Sequence, residues 1–149
     1  MTIKINDVRI DQVQNTKFLG VIINSNLKWN DHVKCITNKE IKNIGILQRL
    51  RYRVPIEILK TLYFTQILPY LKYCNIVWGS ITSVYLDKLF LKQKKAICII
   101  GGAKWNDHSM LIFVHLGLFT LSNIDKFQIY CFMFKIQHKL MPLIFQKLV

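Results

Sequence analysis

The stretch from Pro55 to Gly79 limits the fold more than any other part of the 149-residue chain. Pro55 suits a first helical turn, where its missing N–H is no loss. Ile58, Leu59, Leu62, Tyr63, Ile67, Tyr70, Cys74 and Val77 then recur at helical spacing. At ~100° per residue, Glu57, Lys60, Thr61, Thr65, Lys72 and Asn75 fall on one narrow stripe, with Gln66 well outside it. A helix so patterned is expected to be central and covered on most sides. Pro69 is expected to kink it or split it in two. Trp78-Gly79 should end it, with the glycine in a left-handed cap.

The rest of the chain supplies what packs around this helix. Thr2 to Asn24 reads as a β-hairpin. Ile3 and Ile5 alternate with polar residues, Asn6-Asp7 offers turn chemistry, and Val8 and Ile10 continue the alternation. Lys17 to Ile23 is a continuous apolar run, expected to be a strand covered on both faces, with Gly20 marking a bulge or a close backbone approach. Asn30 or Asp31 is a candidate cap for a first helix whose inner stripe is Val33, Ile36, Ile44, Leu47 and Leu50. A third helix is expected over Val84 to Ile100, with Leu86, Leu89, Phe90, Gln93, Ala96, Ile97 and Ile100 on one side and Gly101-Gly102 as its stop. A loop holding Trp105 leads to a short helix capped by Ser109 and stopped at Gly117. Ser122 is the expected cap of a last helix over Asn123 to Leu140. The fold class is therefore α+β: an N-terminal β-hairpin (1–29) followed by a mostly α-helical bundle of about five helices (30–149). The hairpin lacks the sheet it needs and the chain stops in an apolar segment, so both ends read as truncated.

Charge narrows the partners. The formal net charge is +13 and it is uneven: Lys34 to Lys104 holds 13 Lys and Arg against 3 Asp and Glu. Such a field favours nucleic acid or another anionic surface. No segment reaches the ~18 apolar residues of a spanning helix, and MTIKINDVRI has no apolar core of a signal peptide. The reading is an intracellular protein with no membrane partner. Cys35, Cys74, Cys98 and Cys131 stand at neither zinc-ligand nor redox spacing, so they read as buried reduced thiols.

Three blocks carry a resemblance. The first is Lys17-Phe18-Leu19-Gly20-Val21-Ile22-Ile23 with Asn26-Leu27-Lys28-Trp29-Asn30-Asp31-His32. The second is Ile44-Gly45-Ile46-Leu47, Leu50-Arg51 and Leu62-Tyr63, then Leu68-Pro69-Tyr70-Leu71-Lys72-Tyr73-Cys74 running to Val77-Trp78-Gly79. The third is Leu89, Gln93-Lys94-Lys95-Ala96-Ile97 and Ile99-Ile100, with Asp107-His108 beyond. In this order they resemble the C-terminal part of the reverse transcriptase of non-LTR retrotransposons of the jockey and CR1 type. The resemblance implies an RNA-directed DNA polymerase fragment: the palm end that grips the primer (1–29) and a thumb-like domain that clamps the duplex (30–149). It implies that Phe18, Leu19 and Gly20 sit near the primer terminus. Its partners would be an RNA–DNA hybrid or DNA duplex and the fingers and palm of the same polymerase. A working element would act in the nucleus.

One departure limits the activity. The family holds two Mg²⁺ ions on paired aspartates in an aromatic-x-Asp-Asp box. Here Asp7, Asp11, Asp31, Asp87, Asp107 and Asp125 are never adjacent. No catalytic residue and no cofactor is therefore assigned to this chain, Mg²⁺ belonging only to the catalytic palm, and polymerisation by this chain alone is not expected. The candidate nucleic-acid-binding residues are Lys17, Phe18, Leu19 and Gly20, then Arg49, Arg51, Tyr52 and Arg53, then Lys92, Lys94 and Lys95. Cationic side chains bind phosphates without reading sequence, and Tyr52 can stack on a base or sugar. The alternative for the clusters is a solvated helix face with a pair of cations at a helix C-terminus. The alternative for the whole chain is a degenerate, non-enzymatic remnant acting as a small helical interaction module. Trp29, Trp78 and Trp105 read as core anchors, and His32 and His108 as capping or hydrogen-bonding residues.

Overall fold

The computed structural model describes residues 3–5, 8–79, 83–103 and 108–142, with only the backbone of most of 3–10. The expected Asn6-Asp7 turn, the polar break at 80–82, Trp105 and the apolar chain end lie outside the described residues.

The α+β class is what the structure shows, with two hairpins in place of one. β1 (Ile3–Ile5) pairs with β2 (Val8–Ile10), and β3 (Asn15–Phe18) pairs antiparallel with β4 (Val21–Asn24). The run expected as one strand, Lys17 to Ile23, therefore folds back on itself. Leu19 (φ 46°) and Gly20 (φ 84°) both take positive φ, the geometry of a two-residue turn matched to strand twist. Lys17 and Phe18 are exposed; Val21 is buried against the helices. The Tyr73 hydroxyl pins the turn by donating to the Leu19 carbonyl (2.6 Å).

Five helical runs follow among the described residues. The first is α1 (Asn30–Leu50), which buries Val33, Ile36, Ile44 and Leu47 as its stripe requires. Neither expected cap operates there: Trp29 occupies the N-cap position and no side chain caps it. The second run is broken twice, into α2 (Ile56–Gln66), α3 (Leu68–Lys72) and α4 (Asn75–Trp78). Pro69 stands in the first turn of α3, so the chain breaks before it at Ile67. The Asn43 side chain donates to the Gln66 carbonyl that this break frees. The second break puts Cys74 at φ 51°, and the Trp78 indole donates to the Tyr73 carbonyl (2.8 Å).

The expected coverage of this run also needs correction. Leu59, Tyr63, Ile67, Leu71 and Trp78 are buried, whereas Ile58, Phe64, Tyr73 and Val77 are exposed. Asn75, placed on the polar stripe by spacing, is buried, because the break at Cys74 rotates the helix that follows. Gly79 is not left-handed (φ −68°). It is required for space: a Cβ there would lie 2.6 Å from Asp125 Oδ1 and 2.7 Å from the Asn75 carbonyl.

The centre of the bundle is instead the pair of α1 and α5 (Ser83–Ile100), the most extensively packed helices. Leu89, Gln93, Ala96, Ile97 and Ile100 of α5 are buried, and Leu86 and Phe90 are half-buried at the edge. α6 (Ser109–Leu116) ends at Gly117 in the left-handed conformation (φ 67°). Its N-cap is His108, with no side-chain bond. α7 (Leu121–Gln137) starts from Thr120, whose hydroxyl accepts from the Asn123 N–H, and not from Ser122. Gln93 ties the bundle together. Its amide donates to Tyr63 Oη and the Phe119 carbonyl (both 2.9 Å), and its carbonyl accepts from the Leu121 N–H (2.8 Å).

The remaining expectations resolve simply. Trp78 is fully buried and Trp29 packs half-buried against the core. None of the four cysteines is in a disulfide; Cys98 is buried, the other three only partly. Among the described residues no single helix is long and apolar enough to cross a membrane; α6 and α7 would reach that length only together, across a 49° bend.

Candidate nucleic-acid interface

Two basic clusters lie some forty residues apart in sequence, and the α1–α5 packing brings part of each together. Arg51 follows the last turn of α1, and Lys92 and Lys95 project from one side of α5. With Gln48, Cys98, Ile99 and Ala103 they line a groove of about 400 Å³. Three cations thus share the groove with Gln48 and with small or apolar side chains, and no Asp or Glu is among its described lining residues. Helix geometry explains the selection. Lys92, Lys95 and Ile99 follow at i, i+3 and i+7, so they share a face. Arg51 extends the line of Leu47 one turn beyond the helix.

The other candidates sit elsewhere. Arg49 is exposed and its Nε donates to the Gly45 carbonyl (3.2 Å). Arg53 is exposed past the helix end, and Lys94 is half-buried outside the groove lining. Tyr52 is 83% exposed, with the Arg51 guanidinium over one face of its ring at 5.2 Å from the centroid, and it is not among the groove's lining residues. Lys17, Phe18, Leu19 and Gly20 form the exposed tip of the second hairpin; none of them lines the groove. The tip is nonetheless firmly held. The Ile22 N–H donates to His32 Nδ1 (3.3 Å), and the His32 ring meets Trp78 edge-on at 5.9 Å. Burial, and then the nearby Lys39 charge, push the His32 imidazole down from its usual range, so it stays the neutral acceptor this bond requires.

Sequence reasoning missed a second basic surface. Lys34, Asn38 and Lys42 share an outer face of α1 at four-residue spacing, beside a depression of about 400 Å³ that Lys39, Cys35 and Asp31 also line. The spacing was the available signal. Reasoning also missed Glu40, which falls in the middle of the inner stripe of α1 and is fully buried.

Another cavity, of about 480 Å³, is on another part of the molecule. It lies between α5 and the start of α7, with Asp87 and Asp125 and no Lys or Arg among its described lining residues. That lining repels phosphate. Among the described residues no three His, Cys, Asp or Glu side chains group closely enough to hold a metal ion. Comparison with protein-family models, curated proteins and solved structures finds no match to this chain.

Proposed function

We propose that the chain binds a nucleic-acid duplex by its phosphate backbone, through the groove between the C-terminal part of α1 and α5. In this reading it is the palm-end and thumb part of a non-LTR retrotransposon reverse transcriptase, clamping an RNA–DNA hybrid or DNA duplex without performing the chemistry. The observation that carries the reading is the convergence of Arg51, Lys92 and Lys95 on one groove with no acid among its described lining residues. Backbone phosphates need cations spaced along a surface, and a groove with apolar walls strengthens the attraction. The resemblance of the three sequence blocks supports the polymerase assignment. The separation of all six aspartates in sequence supports duplex binding without catalysis.

The test is fluorescence anisotropy with a labelled RNA–DNA hybrid, comparing the wild type with the triple variant R51A/K92A/K95A. Loss of most affinity in the variant, with unchanged helical circular dichroism, is the expected result; equal affinity would remove the groove from the account. Primer extension on an RNA template should give no activity above a mock preparation.

A second reading has its own observation. Leu111 and Val114 of α6 and Tyr130, Met133 and Phe134 of α7 are all more than half exposed. A helical remnant acting as an interaction module would use such apolar surface to self-associate. Sedimentation velocity separates the two: a monomer that binds duplex fits the first reading, and an oligomer that binds none fits the second.

A further inference from the structure

Two of the eight acidic residues of this +13 chain meet at one cavity, and no Lys or Arg is among its described lining residues. The cavity, of about 480 Å³, is of a size that holds a small ligand. Asp87 lines it from α5 and Asp125 from α7. Neither carboxylate has a cationic partner among the described residues. Lys88, next to Asp87, lies over the Tyr85 ring instead, 5.6 Å from its centroid. A buried acceptor lines the cavity as well. Asn75 is 1% exposed, and its Nδ2 donates to the Leu71 carbonyl (3.0 Å), which fixes the orientation of the amide. Its Oδ1 has no hydrogen-bond partner among the described residues. Gly79 marks where that oxygen is directed. The point a Cβ would occupy on Gly79, itself a lining residue, is 2.8 Å from Asn75 Oδ1 and 2.6 Å from Asp125 Oδ1. The two oxygens therefore converge on one spot of the cavity wall. Leu86 and Phe90 of α5, Met110 of α6 and Leu121 of α7 supply apolar lining.

From this arrangement we infer that the cavity is a binding site for a small organic ammonium, its cationic head held beside Gly79 by the Asp125 carboxylate and Asn75 Oδ1 and its apolar body lying along Leu86, Phe90, Met110 and Leu121. The site is separate from the basic groove and does not depend on the duplex-binding reading. An ammonium brings both things this wall lacks, N–H donors and positive charge. A buried amide oxygen left unpaired is costly, and a donor on the ligand removes that cost. Burial pushes the Asp125 carboxyl up from its usual range, and a bound cation offsets that penalty. Asp87 is exposed and adds a second negative charge to the lining. The start of α7 offers little to an anion, because three of its first four N–H groups are already bonded. Leu121 donates to Gln93, and Asn123 and Ile124 donate to Thr120. The same charge distribution that draws phosphate to the groove between α1 and α5 thus leaves this cavity to cations.

The probe is phenethylamine, an ammonium at neutral pH, set against phenethyl alcohol, which has the same body without the charge. Each is titrated into the full chain while amide NMR spectra follow the Asn75 side chain, the Gly79 amide and the amides around Arg51, Lys92 and Lys95. Two variants accompany the wild type. Asp125→Asn keeps the shape and removes the charge, and Asp11→Asn makes the same change at an exposed position before β3. The amine is expected to shift the Asn75 and Gly79 resonances and to leave those of the groove still. The alcohol is expected to bind the wild type about tenfold more weakly, the loss of a charge-assisted contact. Asp125→Asn should weaken the amine by a similar factor and leave the alcohol unchanged, and Asp11→Asn should change neither. Equal affinity for amine and alcohol, no binding of the amine, or an Asp125→Asn chain that holds the amine as the wild type does, overturns the site. The comparison of amine with alcohol needs the wild type alone, so it decides the proposal whether or not the variant folds.

Discussion

Two buried polar residues on facing helices show how much one side chain can set. Gln93 satisfies three partners on α2, the loop before α7 and the first turn of α7. Replacing it with leucine leaves the Leu121 N–H and the Phe119 carbonyl without their partner. The expected cost is about 2–3 kcal/mol in urea unfolding. Glu40 behaves in the opposite sense, because nothing satisfies it. Its carboxyl is raised from 4.5 to about 8 in the folded chain, so the folded state holds a proton that the unfolded state has released. Stability is then full below pH 4.5 and falls as pH rises toward 8. Glu40→Gln removes that dependence. It is expected to match the wild type near pH 4 and to exceed it at pH 8 by a margin of order 4 kcal/mol at most. A gap that does not widen over that window would show that Glu40 ionises freely in the fold. Hydrophobic periodicity showed the inner stripe of α1 but gave no sign that an acid fills its middle position, since core placement of a carboxyl depends on what α5 brings against it.

At the scale of elements, the second hairpin is a docked device held by Tyr73 and His32. Gly20→Ala forces a Cβ into φ 84° and is expected to cost about 1 kcal/mol, with Tyr73 still in place. His32 has an imidazole pushed below its usual 6.5, so its contribution is present above that pH and is lost as pH falls through the folded value. Protonation removes the acceptor from the Ile22 N–H. The Ile22 amide resonance should shift and lose exchange protection on acidification, while amides in α5 hold. Uniform loss in both would mean global unfolding rather than release of the hairpin. The five helical runs were legible because stripes, Pro69, Gly102 and Gly117 punctuate them. The turn at Leu19-Gly20 was hidden inside an apolar run, because Leu19 adopts a positive φ that its side chain does not advertise. The break at Cys74 was hidden for the same reason.

For the whole molecule, the charge asymmetry was legible and the groove was not. Composition placed the excess of cations in the middle of the chain. Only the packing of α1 on α5 selects Arg51, Lys92 and Lys95, and leaves Arg49, Arg53 and Lys94 outside the groove. The central claim is that these three cations act together on a phosphate backbone. The most direct measurement is the dissociation constant for a blunt duplex between 50 and 300 mM salt at pH 7. Three neutralised phosphates give a slope of log K against log salt near −2.7 on duplex DNA, and R51A/K92A/K95A should bring it close to zero. A wild-type affinity that ignores salt, or a triple variant that keeps the full slope, would contradict the claim.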